Sequence, residues 1–160
     1  MPFKFDKYKA SEFQPRTADV KVPELKDWFD DGDEPIWRVR ALTAVELAKV
    51  REAVERNAAG LKTLVESLVY AQDDAKNAVG KDIKRRMDDQ VPGDIVRRYE
   101  ILMAGSVDPE VKEKSDAITL GVNHPGTLYE LTNKILELTG QGATPGKQKP
   151  CGGTKGSGRA

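Results

Sequence analysis

Gly146-Lys147, preceded by other glycines, is the first place where residue type and spacing suggest chemistry, because a glycine-rich backbone and a lysine can cradle phosphate. The phosphate loop needs G-x-x-x-x-G-K-[ST]. Here Gln141 stands where the first glycine belongs, Gln148 replaces the magnesium-binding hydroxyl, and no apolar strand leads in. Asp27, Asp30, Asp31, Gly32 and Asp33 suggest a calcium loop, which places carboxylates at its first, third and fifth positions and a glutamate at its twelfth. Counted from Asp27, the third position is Phe29 and the twelfth is Arg38, so this stretch reads as an acidic turn. The single histidine, His124, and the single cysteine, Cys151, allow no disulfide and no zinc set, and a Cys–His pair would have to be assembled from a glycine-rich tail. Adjacent carboxylates such as Asp73-Asp74 and Asp88-Asp89 point to different sides of a helix and are normally solvated. No catalytic, cofactor-binding or metal-ligating set emerges, and a non-enzymatic protein without cofactors is expected.

Two basic clusters could touch phosphate: Lys81, Lys84, Arg85 and Arg86, and the pair Arg97-Arg98. Asp82, Asp88, Asp89 and Asp94 interleave with them, which favours a solvated helix face over a nucleic-acid site. The run Phe3-Lys4-Phe5 and Lys7-Tyr8-Lys9 has the aromatic and basic mix of a stacking platform, and equally that of an arm docked on its own body or on a protein partner. The whole chain of 160 residues balances 26 basic against 26 acidic side chains. That zero is a sum of unlike parts: residues 140–160 hold Lys147, Lys149, Lys155 and Arg159 with no acid, leaving 22 basic against 26 acidic groups before them. The same stretch holds seven of the 14 glycines and no apolar face, so residues 141–160 read as a disordered, flexible tail. No window approaches the roughly 18 apolar residues of a membrane span, and the N-terminus lacks a signal-peptide apolar region; a soluble, intracellular protein without a membrane partner is expected.

The elements that must position these side chains follow from periodicity. Seven of the ten aromatic residues (Phe3, Phe5, Tyr8, Phe13, Trp28, Phe29, Trp37) fall in the first 37 positions, ahead of any helical pattern, and residues 1–17 read as an aromatic and basic arm. Asp19-Val20-Lys21-Val22 and Ile36-Trp37-Arg38-Val39-Arg40 alternate as half-buried strands do, around an Asp30-Asp31-Gly32-Asp33 turn, which predicts a hairpin over about residues 18–41. Thr43 and Glu46 then form an S/T-x-x-E capping box, with Leu47, Val50 and Val54 on one helical face until Asn57–Gly60. Leu61, Leu64, Val65, Leu68 and Val69 predict a second helix, and residues 72–90 an exposed continuation. Asp94 is placed as the cap of a helix carrying Ile95, Tyr99, Leu102 and Met103 on one face, closed over Gly105–Pro109. A short helix reaching Leu120 is followed by the last, with Pro125 in its first turn, a Thr127–Glu130 capping box, and Leu128, Leu131, Ile135 and Leu138 inward before Gly140. The fold expected is mainly α: an N-terminal β-hairpin, a bundle of four or five helices over residues 18–140, and the tail.

The order of these features resembles the tail assembly chaperones of long-tailed, siphovirus-type bacteriophages. Val22-Pro23-Glu24-Leu25, an acidic turn, then Ile36-Trp37-Arg38-Val39-Arg40-Ala41-Leu42-Thr43-Ala44-Val45-Glu46 is similar to their V-x-V-R-x-L-T-x-x-E strand running into a first helix. Tyr99 through Pro109 looks like their L-x-x-x-x-V-D-P segment, and Leu131 through Gly140 like their closing I-x-x-L-S/T-G helix. The resemblance spans about residues 18–140 and leaves the arm and residues 72–90 unanchored. It implies a protein of the host cell cytoplasm that binds the tape measure protein, keeps it soluble until tail tube subunits polymerise around it, and is absent from the finished virion. It also implies a second, longer frameshifted product that recruits tail tube protein, with Gly146-Lys147 a place for the slippery codons. Such work needs a partner surface, for which Trp28, Phe29, Trp37 and Arg40 are the candidates; packing of the hairpin onto the helices accounts for them equally. A homo-oligomer, a small nucleic-acid-binding or regulatory protein, and a head-to-tail joining component remain open alternatives.

Overall fold

The structure, a computed structural model, describes residues 2–69 and 91–145. The arm holds a short helix, α1 (Phe5–Lys9), and a two-residue strand, β1 (Phe13–Gln14), where no helical pattern was expected. Next come β2 (Thr17–Lys21), a 3-10 segment over Pro23–Trp28, and β3 (Ile36–Arg40), which pairs antiparallel with β2 in the register Thr17↔Arg40 to Lys21↔Ile36. This is the predicted hairpin. Its alternation is physical: Val20, Trp37 and Val39 face the core while Asp19, Lys21 and Arg38 face outward. In the acidic connection Asp33 N–H donates to Asp30 O at 3.0 Å, and Gly32, at φ +98°, takes the left-handed position that a side chain would strain.

Helix α2 (Ala44–Val69) begins at the capping box and runs unbroken through Asn57–Gly60, where the sequence suggested two helices. One glycine in a helix interior costs about 1 kcal/mol, which a 26-residue helix tolerates. The side chains of the predicted stripe from Leu61 to Val69, the continuation over 72–90, and the tail over 146–160 lie outside the described residues. Helix α3 (Gly93–Gly105) packs against α2 and buries Val96, Tyr99, Ile101 and Leu102; Ile95 and Met103 are only half-buried. Asp94 is not its cap. The helix starts after Pro92, and Asp94 reaches along the first turn to Arg98 at 3.2 Å.

The predicted stop at Gly105–Pro109 contains a third strand, β4 (Ser106–Asp108), so the sheet order is β2-β3-β4. Trp37 Nε1–H donates to Ser106 Oγ at 3.1 Å inside the core and fastens this short strand. Helix α4 (Lys114–Asn123) and helix α5 (Pro125–Gly140) close the body, with Leu128, Leu131, Ile135 and Leu138 inward as the spacing predicts. The Thr127–Glu130 capping box does not form; Thr127 is buried and its hydroxyl donates to Glu24 of the 3-10 segment, tying the front of the chain to the start of α5. Gly105 meets α5 so closely that a Cβ there would lie 2.6 Å from Ile135 Cδ1.

The tail boundary at residue 141 also shifts. After α5, Gly142 turns the chain at φ +70°, and β5 (Thr144–Pro145) pairs with β1 in the register Phe13↔Pro145 and Gln14↔Thr144. Arg16 Nε–H adds a 3.0 Å bond to Gly142 O. Residues 141–145 therefore belong to the ordered body, and the arm is held by the far end of the same domain.

Candidate functional site

An open cleft of about 900 Å³ lies between the 3-10 segment with its acidic turn, the outer face of the sheet, and helix α4. Its apolar lining includes Leu25, Trp28, Phe29, Trp37 and Leu120. Helix α4 contributes Asp116, Thr119, Leu120 and Asn123, whose three- and four-residue spacing places them on one face, and His124 follows at its end. Ala117, further round the same helix, is fully buried in the body.

The four side chains proposed from sequence separate here. Trp28 is 71% exposed, stands at the cleft edge, and meets the His124 ring edge-on at 5.4 Å between centroids. Phe29 is half-buried against the core and lines the same cleft. Trp37 lines it from below, but it is a core residue, 8% exposed, with its indole N–H satisfied by Ser106. Arg40 is not at the cleft: its guanidinium holds Glu46 in a two-pronged pair of 2.6 and 3.1 Å. Of the four, Trp28 is the one that combines large apolar area with access.

Arg40 instead belongs to the start of α2. Glu46 accepts from Thr43 N–H at 2.8 Å while Thr43 Oγ1 accepts from Glu46 N–H at 3.3 Å, the reciprocal pair of a capping box. The Arg40 guanidinium, with help from the Thr43 amide, lowers the Glu46 carboxyl from 4.5 to about 2. Glu24 is also held below its ordinary value, first by the Thr127 hydroxyl.

Electrostatically the cleft is one-sided. Asp19, Asp30, Asp33, Glu34, Asp108 and Asp116 line it against the single guanidinium of Arg38, six carboxylates to one guanidinium. Arg38 is taken by Asp19 at 2.7 Å, its cross-strand neighbour, and this lowers the Asp19 carboxyl. Among the described residues no Lys or Arg lies in ion-pair range of Asp30, Asp33, Glu34 or Asp116. The α4 side of this site was not singled out from sequence, and its signal is the spacing 116, 119, 120, 123.

Two other sequence features resolve differently. The aromatic arm folds on itself: Phe3–Phe5, Phe3–Tyr8 and Tyr8–Phe13 centroids stand 4.7, 5.4 and 4.7 Å apart, and all four rings are at least 41% exposed. Arg98, half of a proposed basic cluster, is consumed inside the body by Asp94, Thr132 at 2.7 Å, Asn133 at 3.0 Å and the face of Tyr129 at 3.7 Å. Arg97 is exposed. The cluster Lys81–Arg86 lies outside the described residues. Among the described residues no group of three or more His, Cys, Asp or Glu is placed to hold a metal ion, and no helix is long and apolar enough to cross a membrane. No protein-family model, curated protein or solved structure matches the chain.

Proposed function

We propose that this chain is a binding protein without catalytic activity, a tail assembly chaperone of the long-tailed bacteriophage type. It holds the tape measure protein soluble in the host cytoplasm until the tail tube forms, and then leaves the particle. A longer frameshifted form would add contact with tail tube protein. The observation that carries this reading is the open cleft, with apolar walls and the exposed indole of Trp28 at its edge, a surface suited to covering another chain's apolar stripe. The run from strand β3 through the Thr43–Glu46 box into α2, and the closing helix α5, carry the family resemblance and are regular elements of the fold. The nucleic-acid alternative loses Arg98 to internal bonds.

Co-expression tests the proposal. A tape measure fragment that is insoluble alone should enter the soluble fraction with this protein and co-purify with it. Unchanged solubility without co-purification would refute the assignment.

A further inference from the structure

We infer that the cleft selects its partner segment by charge: its occupant is a cationic amphipathic helix that sets a bulky apolar side chain against Trp28 and Phe29 and presents Lys or Arg to the two acidic lips. The inference rests on the proposed chaperone reading and names the kind of segment that is held. Three features of the molecule carry it.

The first is the pairing of apolar lining with unneutralised rim. A chain whose net charge is zero concentrates six carboxylates and one guanidinium around a single concavity. Asp30, Asp33 and Glu34 stand on one lip and Asp116 on the other, none with a cation in range among the described residues, so the cleft has a negative field that favours a cationic occupant. The second is what the other cations are doing. Arg38 is committed to Asp19, Arg40 to Glu46 and Arg98 to Asp94, Thr132 and Asn133, so these guanidinium groups are paired with carboxylates other than Asp30, Asp33, Glu34 and Asp116. The third is the pair of apolar walls. Trp28 leaves most of its surface in water and rests edge-on against His124, and Leu120 on α4 is only half-buried, so both walls offer apolar area that lacks a cover. An open trough with apolar walls and charged lips matches a helix that has one apolar face flanked by lysines, by the usual anchor spacing of helix-in-groove recognition. An acidic helix would place like charges against both lips, and a purely apolar one would leave the carboxylates without partners.

Two fluorescently labelled peptides of about 18 residues, long enough to be helical when bound, provide the probe. They share one leucine face and differ only in carrying lysine or glutamate on the other. Fluorescence anisotropy with the full chain should show the lysine peptide binding at least about tenfold more tightly, the preference shrinking between about 50 mM and about 500 mM salt. Asp30→Lys/Asp33→Lys/Glu34→Lys should reverse the preference, and Trp28→Ala should weaken both peptides; circular dichroism verifies that each variant folds. Equal affinity for the two peptides, or a preference unchanged by charge reversal and by Trp28→Ala, would overturn the inference. Binding of the lysine peptide that is lost in Trp28→Ala but insensitive to charge reversal would overturn it too, by showing an apolar site without charge selection. The two readings fail separately. Rescue of a tape measure fragment by both wild type and the charge-reversed variant would sink the charge selection and keep the chaperone. Selective peptide binding without rescue would do the opposite.

Discussion

Trp28 and Trp37 are nine residues apart and are the two tryptophans of the chain, yet their environments differ in kind. Trp37 is enclosed by the sheet and α-helical core and its indole N–H is bonded to Ser106, so Trp37→Ala should cost about 3–5 kcal/mol by chemical denaturation. Trp28 is mostly in water, and Trp28→Ala should change stability by no more than about 0.5 kcal/mol. A large destabilisation by the second substitution would mean that Trp28 packs the body and does not wait for a partner. Glu46 sets the acid limb. Its carboxyl is held at about 2 in the folded chain, below its ordinary 4.5, so the ionised form stabilises the fold above pH 4.5 and that contribution disappears as pH falls from 4.5 towards 2. Glu46→Gln should therefore lower stability at neutral pH by about 1–2 kcal/mol and flatten the loss between pH 4.5 and pH 2, read by urea unfolding across that range.

Between elements, one close fit sets how α3 meets α5. Gly105 lets the end of α3 meet Ile135 of α5, and Gly105→Ala forces the isoleucine or the helix to move, at a cost of about 1–3 kcal/mol in a thermal melt. A melt unchanged by that substitution would show that the two helices stand further apart. Much of this level was legible in the sequence. The alternation of Val20, Val22, Trp37 and Val39 gives the hairpin because each strand has one wet face, and the spacing of Leu128, Leu131, Ile135 and Leu138 gives α5 because one stripe is buried. Strand β4 was not legible: three residues cannot show a period, and Ser106 is held there by a tryptophan 69 positions away. The Thr127 box and the Asp94 cap failed because each side chain found another partner in place of a local amide: Thr127 the distant Glu24, and Asp94 the guanidinium of Arg98 one turn along its own helix. Helix α4 has a weak apolar pattern because one of its faces lines an open cleft, which also hid the second wall of that cleft; Trp28 and Phe29, on the first wall, drew notice in the sequence as aromatics beside an acidic turn.

On the scale of the whole molecule, the balanced charge of the chain conceals an uneven surface. The sheet, the acidic turn and α4 gather carboxylates about one concavity, while the arm is pinned to the other end of the chain by the β1–β5 pairing and the Arg16 bond to Gly142. Removal of residues 2–14 should leave the α5 core intact and lower stability by less than about 2 kcal/mol, because α1 and β1 bury no residue of the central core; a collapse of the thermal transition would show that the arm is integral. We propose that this molecule works by covering an apolar segment of a partner at the cleft. It is tested most directly by the soluble yield of a tape measure fragment co-expressed with wild type or with Trp28→Asp, each variant first shown to fold. Soluble, co-purifying fragment is expected with wild type, and a loss of most of that yield with Trp28→Asp. Equal rescue by both would contradict it.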